Sequence, residues 1–350
     1  MVIRAIDLFC GAGGLTCGLQ KAGIKVAAGI DNDESCKYAY EHNNKAVFIC
    51  NDISNISEKE LNKYYKKNDI KLLAGCAPCQ PFSKYQKDKT RKDKNSKWGL
   101  LYQFLNKVEE INPDIVSMEN VSELEKEVVF QDFLSGLKKL GYHVSYKILN
   151  AADYGVPQRR KRLLLLASKF GKIELIEPTH INKHITLRKA IGDLPYIKAG
   201  ETCTTDSLHR SANLNDINIK RIRNSLQGGT WEDWPKDLVP ECYKKDSGKT
   251  FSSVYGRATY DKISPTLTTQ FIRYGTGRYG HPTQDRAFSL REGAIIQTFP
   301  ADYQFVKPGE KATIAVISRQ IGNAVPVRLG EVIGKSIKKH IKALGITKHE

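Results

Sequence analysis

A cysteine held between two prolines is the residue of this 350-residue chain best placed to do chemistry. Cys79 lies in the run Gly75-Cys76-Ala77-Pro78-Cys79-Gln80-Pro81-Phe82-Ser83, directly after the apolar stretch Lys71–Ala74. Because proline fixes φ, the run predicts a stiff loop at a strand's end, where open α/β sheets carry their reacting groups. Only the thiolate attacks, so Cys79 is a candidate nucleophile if its surroundings favour that form.

The spacing Cys76-x-x-Cys79 is also compatible with a redox pair or with half of a zinc site. A zinc site needs further ligands at short spacing, and the sequence offers no second cysteine pair or histidine cluster after it. A redox motif opens a helix, which Pro81 disfavours. A single nucleophile at Cys79, with Cys76 as a small packed neighbour and no metal, fits the pattern better.

A glycine-rich turn near the N-terminus predicts a site for a nucleoside-containing cofactor. The segment Asp7-Leu8-Phe9-Cys10-Gly11-Ala12-Gly13-Gly14-Leu15 runs from a strand through a turn into a helix, and glycine lets a ligand approach the backbone closely. Thr16 stands where the dinucleotide fingerprint has its third glycine. Asp31 ends the next strand, suitably placed for ribose hydroxyls. Asp52 follows the third strand and could accept from an adenine amino group or cap a helix.

Charged residues lie at the ends of two other predicted strands, with a carboxylate after one strand and two arginines at the start of another. Glu119, in Ser117-Met118-Glu119-Asn120-Val121, could serve as a general acid if burial keeps it protonated, or could cap the following helix. In the tract Gln158-Arg159-Arg160-Lys161-Arg162-Leu163, strand alternation would send Arg160 and Arg162 to one side. Two inward guanidinium groups need an anion or a carboxylate as partner.

The elements that must position these residues alternate over the first ~170 residues between short apolar runs and amphipathic stretches. That rhythm predicts a mostly parallel α/β sheet with crossover helices. Strands are expected near Val2–Leu8, Val26–Ile30, Ala46–Ile49, Lys71–Ala74, Ile115–Met118, His143–Leu149 and Arg162–Ala167. Helices are expected near Leu15–Ala22, Ser35–Glu41, Glu58–Lys67, Leu101–Ile111 and Phe130–Leu140.

Beyond about Thr186 this rhythm stops. Residues 195–285 are rich in Gly, Thr, Ser and Arg, which predicts a second, loop-rich and basic domain. Helical patterning resumes at Ser289. The last segment spaces Leu329, Ile333, Ile337 and Ile341 four residues apart, as expected of an amphipathic helix packed on the first domain.

The net charge of the chain indicates which kinds of partner it is expected to bind. The formal net charge is +17, from 55 Lys and Arg against 38 Asp and Glu, which favours nucleic acid first and an anionic membrane second. No apolar run approaches the ~18–20 residues of a membrane span. The N-terminus enters a strand at once, so no signal peptide is expected and the protein is expected to be cytoplasmic. Eight cysteines in such a chain argue against a disulfide framework.

Taken together, the motifs resemble those of the DNA (cytosine-5) methyltransferases, in the unpermuted order and from Asp7 to Pro326. The resemblance is carried by five segments, Phe9–Gly14, Pro78-Cys79-Gln80, Glu119-Asn120-Val121, Gln158–Arg162 and Gln320-Ile321-Gly322-Asn323-Ala324-Val325-Pro326. Arg291-Glu292 matches the segment that scaffolds the DNA-reading domain in that family. Residues 195–285 lack a general match, as expected where family members vary.

The resemblance implies a Rossmann-like methyltransferase domain, residues 1–190 plus 320–350, and a smaller loop-rich target-recognition domain, residues 191–319. It implies that a cytosine is flipped out of double-stranded DNA and that Cys79 attacks its C6. Glu119 would bind the N3 edge, Arg162 would hold the base and Arg160 would support the cysteine loop. The methyl donor would be S-adenosylmethionine, which becomes S-adenosylhomocysteine, with no metal.

The resemblance also implies which residues bind the cofactor, and the residues themselves suggest candidates for DNA contact. The cofactor would be bound by Phe9, Gly11, Gly13, Gly14, Leu15, Asp31, Asn32, Asp52, Ile53, Pro78, Leu101 and Asn323. The residues themselves suggest that DNA is contacted by Gln80, Ser83, Lys84, Arg91, Gln227, Gly228, Arg257, Thr269, Arg273 and Arg278, and the alternative role for the segments around Gln227 and Thr269 is turn and scaffold.

Other functions remain open at this point. The same chemistry could act on tRNA, but the basic segment 195–285 favours DNA. A catalytically silent DNA-binding regulator would need a broken motif, and every motif is intact. A nicotinamide-dependent oxidoreductase would explain the glycine-rich turn alone. The expected enzyme is a monomer at the nucleoid, either an orphan methylase or the partner of a separately acting restriction endonuclease.

Overall fold

The computed structural model describes residues 1–78, 94–245, 251–310 and 312–346, with side chains omitted at 94–98. Cys79 lies outside the described residues, and so do the predicted DNA contacts Gln80, Ser83, Lys84 and Arg91. The roles of these five residues therefore stay predictions. The other predicted site residues can each be placed in the fold.

The chain forms two compact units. Unit 1 comprises Met1–Ala151, Lys161–Pro178 and Val325–Glu350, and unit 2 comprises Ala152–Arg160 and Thr179–Ala324. Arg160 consequently belongs to unit 2, whereas Arg162 belongs to unit 1. The assignment of catalysis to one domain and target recognition to the other stays a prediction.

Unit 1 contains a seven-stranded sheet, and all seven predicted strands are present. The strands are β1 (Ile3–Leu8), β2 (Lys25–Asp31), β3 (Val47–Cys50), β4 (Ile70–Gly75), β5 (Ile115–Val121), β6 (His143–Asn150) and β7 (Lys161–Ser168). Their spatial order is β3-β2-β1-β4-β5-β7-β6. The pairs among β1 to β5 are parallel, and β7 runs antiparallel to both β5 and β6. This confirms the predicted mostly parallel α/β sheet.

The sheet topology points to where a ligand would bind. Strand order reverses between β1 and β4, and in open α/β sheets such a reversal opens a crevice beyond the carboxyl ends of the strands. Both the glycine-rich turn and the segment leading to Cys79 leave the sheet at this point. The topology therefore brings the two N-terminal motifs to one edge of unit 1.

Strand β5 continues past its predicted end at Met118. Glu119 and Asn120 pair with Leu164 and Leu163 of the antiparallel strand β7, and Val121 pairs with Arg162. Glu119 therefore lies within the sheet. Val121 caps the short 3₁₀ helix that follows, so the interpretation of Glu119 as a helix cap was wrong.

Helices alternate with the strands in unit 1 and are short in unit 2. Their bounds are α1 (Gly14–Lys21), α2 (Lys37–Asn44), α3 (Glu58–Asn62), α4 (Lys94–Ile111), α5 (Val128–Lys139), α6 (Leu187–Ile191), α7 (Asp216–Arg223), α8 (Glu241–Lys244), α9 (Leu290–Ile296), α10 (Ile314–Asn323) and α11 (Val327–Ala343). None of the helices in the described part of the chain has the length and apolar content needed to span a bilayer.

The C-terminal helix α11 packs against α1 within unit 1, as its amphipathic spacing predicts. Its polar residues add specific contacts to this packing. Ser336 accepts from the backbone N–H of Ile176 at 3.0 Å, and His340 Nε2 lies 2.9 Å from Ser168 Oγ at the end of β7. Helix α11 therefore contacts both α1 and the end of β7.

Unit 2 has a compact apolar core despite its sparse regular structure. In its described residues the pairing outside helices consists of isolated bridges such as Gln227 with Arg257 and Arg257 with Gly280. Trp231, Trp234 and Tyr274 are buried together at the centre of its aromatic cluster. This agrees with the loop-rich second domain predicted from composition.

A charged cluster is fully buried in unit 2. Arg286 donates to both oxygens of Glu292 at 2.7 and 2.8 Å, and both side chains are 0% exposed. His281 lies beside them, and its Nδ1 accepts backbone N–H bonds from Thr283 and Gln284 at 3.2 and 2.9 Å. Those bonds require an unprotonated Nδ1. Burial together with the charges of Arg286 and Arg257 outweighs the attraction of Glu292 and lowers the pKa of His281 to about 4.

Because of the buried His281 in this cluster, the folded protein is expected to lose stability in mild acid. Since the pKa of His281 is lowered on folding, the unfolded chain binds the proton first. The stabilising contribution is fully present above about pH 6.5, the unfolded value, and is lost as pH falls toward 4. At its full size, the contribution of His281 to the free energy of unfolding is about 3 kcal/mol. Urea unfolding between pH 7.5 and 4.5 would measure it.

The matched comparison uses two asparagine substitutions. His281→Asn keeps an acceptor near the Nδ1 position without the titrating ring, so unfolding free energy should depend less steeply on pH than in the parent. His143→Asn changes an exposed histidine at the start of β6 and should keep the parental slope. Equal slopes in all three proteins would contradict the assignment to His281.

Candidate active site

The glycine-rich turn after β1 has the backbone of a ligand-binding loop. Phe9, Gly11 and Gly13 have φ of 60°, 49° and 89°, so the chain turns sharply before α1 begins at Gly14. A Cβ added at Gly11 would meet nothing within 4 Å, which leaves open space beside the backbone there. Gly14 and Leu15 are buried at the start of α1. A ligand can therefore approach the backbone of the turn at Gly11 without meeting a side chain.

Thr16 explains the departure from the dinucleotide fingerprint. Its side chain is fully buried, and its hydroxyl donates to Asp7 Oδ2 at 2.7 Å. The same hydroxyl lies 3.0 Å from the Tyr40 hydroxyl on α2. Burial raises the pKa of Asp7 to about 7. A glycine at position 16 would lack the hydroxyl, and the hydrogen bond that joins α1 to β1 next to the loop would be lost.

Asp31 connects the end of β2 to the same turn. Its Oδ2 accepts from the Gly11 N–H at 2.8 Å and its Oδ1 accepts from the Asp33 N–H at 2.9 Å. Burial raises the pKa of Asp31, and these two backbone donors oppose the rise. The carboxylate is half-buried and fixed, as a ribose-binding group should be, and the neighbouring Asn32 is exposed.

Asp52 caps a short helix at the end of β3, which is one of the two roles predicted for it. Its Oδ1 accepts from both the backbone N–H and the hydroxyl of Ser54, at 2.9 and 2.6 Å, at the start of a 3₁₀ helix. These bonds hold the pKa of Asp52 below its usual value. Oδ2 accepts from none of the described residues, so the cap leaves one oxygen available to a ligand. Ile53 beside it is buried in the core.

The remaining cofactor candidates lie in different environments. Pro78 is exposed after β4, and Leu101 on α4 is 4% exposed within the main core cluster of unit 1. Asn323 is exposed at the end of α10 in unit 2. Among the described residues, no group of three or more His, Cys, Asp or Glu is arranged to hold a metal ion.

Glu119 lies at the centre of the candidate catalytic cluster, with a side chain only 2% exposed. Arg162 Nε lies 3.0 Å from Glu119 Oε1, which supplies the carboxylate partner expected for an inward arginine. The contact is an ion pair without hydrogen-bond alignment, because Oε1 has no hydrogen-bond donor among the described residues. The Cys76 thiol donates to Oε2 at 2.8 Å. Neighbouring side chains therefore fix both carboxylate oxygens.

Cys76 was predicted to be only a packed neighbour, and that prediction was wrong. It is half-buried and hydrogen-bonds Glu119 across the parallel pair β4 and β5. The sequence signal that could have revealed the contact is register, since both residues directly follow the ends of neighbouring parallel segments. Cys76 is therefore a residue that positions Glu119.

Asn120 secures the segment that leads to Cys79. Its side-chain amide is 3% exposed and donates to the carbonyl of Ala77 at 3.1 Å, and its Oδ1 accepts from the Val121 N–H at 2.8 Å. The first of these bonds joins the end of β5 to the chain two residues before Cys79. Asn120 belongs to the motif Glu119-Asn120-Val121, but no local sequence pattern predicts its bond to Ala77.

The two inward arginines differ in their partners. Arg162 is 13% exposed; besides the ion pair with Glu119, its Nη1 donates to the carbonyl of Lys161 at 2.6 Å. Arg160 is 4% exposed and donates from Nη1 and Nη2 to the carbonyls of Leu267 and Ala324 within unit 2, at 3.1 and 3.4 Å. Arg162 is thus part of the Glu119 cluster, whereas Arg160 donates to backbone carbonyls of unit 2.

The predicted DNA contacts in unit 2 fall into exposed and buried sets. Gln227, Gly228, Arg273 and Arg278 are exposed, and Thr269 is half-buried. Arg257 is different: only 6% of it is exposed. Its guanidinium donates to four backbone carbonyls and a carboxylate, those of Ile222, Ser225, His281, Gln284 and Asp285. This geometry argues against the predicted DNA contact and gives Arg257 a structural role.

Sequence comparison matches nearly the whole chain to one protein family. A family model for C-5 cytosine-specific DNA methylases matches residues 3–339. The type II methylase M.HgiDII of Herpetosiphon aurantiacus is 52% identical over 348 residues, 98% of this chain and 97% of that protein. The type II methyltransferase M.Eco47II of Escherichia coli is 31% identical, over 96% of this chain and 79% of that protein.

Solved structures share the fold at lower identity. A structure described as a DNA modification methyltransferase encoded within an E. coli prophage has a TM-score of 0.74 at 21% identity and covers 97% of this chain and 99% of its own. The S. pombe Dnmt2 methyltransferase has a TM-score of 0.62 at 19% identity, over 98% of this chain and 99% of that one. At these identities the likeness shows the fold alone.

Proposed function

Because this chain belongs to the C-5 cytosine-specific DNA methylase family, we propose that it methylates C5 of a cytosine in double-stranded DNA through Cys79 and Glu119. The observation that best supports these roles is the buried Glu119 carboxylate, held by Arg162 and Cys76 at the sheet edge from which the Cys79 segment departs. A buried, oriented acid beside a nucleophile loop is the arrangement that activation of a pyrimidine ring requires.

The reaction begins with the base out of the helix, since C5 and C6 are otherwise inside the stack. The Cys79 thiolate adds to C6, and the ring nitrogen N3 takes a proton or hydrogen bond from Glu119, so C5 gains nucleophilic character. C5 then takes the methyl group. Loss of the C5 proton to a base, with return of the N3 proton to Glu119, restores the ring and expels Cys79 as thiolate.

Arg162 supports this chemistry in two ways. Its Nε holds the Glu119 carboxylate in place from the side of Oε1. Its Nη2 donates to none of the described residues, so this nitrogen is available for the exocyclic carbonyl oxygen of the base. A guanidinium that contacts the acid and the base together would orient N3 toward Glu119.

The N-terminal turn fits S-adenosylmethionine, which supplies an electrophilic methyl group when bound. The open space at Gly11 accommodates a ligand without side-chain obstruction, and no pyrophosphate has to be bound, so Thr16 in place of glycine costs nothing there. Phe9, half-buried against the core, would stack on the ligand. Asp31 would accept from the ribose, and the remaining oxygen of Asp52 would accept from the adenine amino group.

Cofactor affinity should depend on the charge of Asp31. Asp31→Asn is expected to weaken binding of S-adenosylhomocysteine roughly 10- to 100-fold, since hydrogen bonds to charged groups contribute about 1.5–3 kcal/mol. The amide oxygen can still accept from the Gly11 N–H, whereas the bond from the Asp33 N–H is lost, so thermal unfolding measured alongside must show that the variant is folded. Calorimetric titration measures the effect, with Asp132→Asn, an exposed change on α5, as the matched control. Wild-type affinity in Asp31→Asn would refute the ribose assignment.

Substrate choice is tested by supplying the purified chain with methyl-labelled S-adenosylmethionine and either duplex DNA or tRNA. Label should enter DNA, in keeping with the formal net charge of +17 and the exposed arginines of unit 2. Label in tRNA alone would contradict the proposal. Label in neither, with the cofactor bound, would instead indicate a catalytically silent regulator.

The biological setting is also a proposal. Because two relatives are named type II enzymes, we place the chain as the modification component of a restriction-modification system or as an orphan methylase. It would act as a monomer in the cytoplasm, on the nucleoid, with any restriction endonuclease acting separately. DNA from cells that express the chain should then resist an endonuclease with the same recognition sequence.

A further inference from the structure

A tight turn projects from unit 2 at one of the predicted DNA-contact segments. The N–H of Gly229 donates to the carbonyl of Leu226 at 3.0 Å, which closes a four-residue turn. Gly228 has φ of 80°, whereas Gln227 does not have a positive φ, so the turn is of type II with Gln227 at its tip. A side chain at Gly228 would also crowd Thr259 Oγ1 at 3.0 Å. Glycine is therefore needed there.

Arg257 fixes the turn through both its backbone and its side chain. Gly228 donates to the Arg257 carbonyl at 2.9 Å, and the Arg257 N–H donates back to the Gly229 carbonyl at 3.3 Å. The buried Arg257 guanidinium also donates to the carbonyls of Ile222 and Ser225, just before the turn. At the other side of the turn, Thr230 and Asp233 form a capping box. The turn is thus held rigidly although its tip is exposed.

The amide of Gln227 is oriented by one contact. Its Oε1 accepts from the backbone N–H of Tyr260 at 3.3 Å, and a backbone N–H can only donate, so the oxygen must face Tyr260. Its Nε2 donates to none of the described residues, and the side chain is exposed. Tyr260 itself is held by Arg188, whose guanidinium stacks 4.9 Å from the ring centroid. Gln227 therefore presents a hydrogen-bond donor outward from a rigid support.

The geometry points to Gln227 as a residue that reads one base pair of the recognition sequence through guanine, an inference that rests on the proposed function. Guanine offers two acceptors, O6 and N7, in the major groove, whereas thymine offers one, O4, beside its methyl group and cytosine offers only a donor. Adenine is usually read by an amide that donates to N7 and accepts from N6. The Tyr260 N–H takes one lone pair of the Gln227 oxygen and turns that oxygen toward Tyr260, so the group that faces outward is the Nε2 donor, and guanine with its two acceptors suits that donor best.

The test is methylation of a duplex library with randomised bases around one cytosine, read by bisulfite sequencing. Wild-type protein should require guanine at one position. Gln227→Leu removes the donor and should lower the preference for that guanine about 5- to 150-fold, with other positions unchanged. Gln227→Glu presents acceptors instead and should shift the preference at the same position toward a donor-bearing base, cytosine above all.

Gln131→Leu and Gln131→Glu, on the exposed face of α5, are the matched controls and should keep the wild-type sequence profile. Unchanged profiles in both Gln227 variants, or relaxation at a position that is not guanine, would overturn the inference while methylation itself upholds the proposed function. A wild-type protein that methylates no member of the library would overturn both.

Discussion

Cys79→Ser should abolish methyl transfer while leaving DNA binding largely intact. A thiol is a few per cent thiolate at neutral pH and intrinsically very nucleophilic, whereas a hydroxyl needs a dedicated general base. The expected fall in kcat is roughly 10³-fold or more, in line with losses seen when a nucleophile is removed elsewhere. Single-turnover transfer of labelled methyl groups measures the rate, and a gel shift measures binding.

The control for this substitution is Cys242→Ser, which changes an exposed cysteine on α8 and should leave the rate unchanged. A covalent adduct adds a second readout: wild-type protein should be captured on duplex DNA that carries 5-fluorocytosine, because the fluorine at C5 cannot leave as a proton does. The serine variant should not be captured. Undiminished methylation by Cys79→Ser would remove Cys79 from the mechanism.

Glu119→Gln should produce the second largest loss, roughly 10²- to 10⁴-fold in kcat, the usual range for a general acid. Glutamine preserves size and can still accept from Cys76 or Arg162, but it cannot deliver a proton to N3. Alanine is a poorer test, since it would also leave the Arg162 guanidinium and the Cys76 thiol without any acceptor oxygen and would open a cavity beside them. Removing one member of a buried pair costs about 3–5 kcal/mol.

Glu123→Gln provides the matched control, because Glu123 is exposed on the 3₁₀ helix just after β5. It should match wild type in both rate and stability. Thermal unfolding of all three proteins separates chemistry from folding, and Glu119→Gln should unfold within a few degrees of wild type. A Glu119→Gln enzyme with wild-type kcat would show that N3 needs no acid from this residue.

The sequence was most informative where local patterns determine structure. Apolar runs flanked by turns predict all seven strands, and the signal is strongest in the central strands β1, β4, β5 and β7, which are buried on both faces and read as nearly continuous apolar segments. The N-terminal turn was predictable because glycines with positive φ, such as Gly11 and Gly13, mark it directly. Helix bounds were harder: α3 ends at Asn62 rather than Lys67, and Tyr65 beyond it is buried with its hydroxyl bonded to the Leu72 carbonyl.

Contacts between distant segments could not be read from periodicity. The bond from Cys76 to Glu119 depends on the register of β4 against β5, which no local pattern reveals. Arg257 resembles a DNA contact in a basic, glycine-rich segment, yet its guanidinium serves backbone carbonyls from several loops. Composition reports that an arginine is present, whereas only tertiary structure decides whether it faces solvent or the interior.

The most direct test of the central claim is bisulfite sequencing of DNA from cells that express either the wild-type chain or Cys79→Ser. Methylation at C5 protects cytosine from deamination, so wild-type expression should leave one recurring sequence with an unconverted cytosine. The serine variant should leave none. Complete conversion at every cytosine, with folded wild-type protein present, would contradict the assignment of this chain as a DNA cytosine-5 methyltransferase.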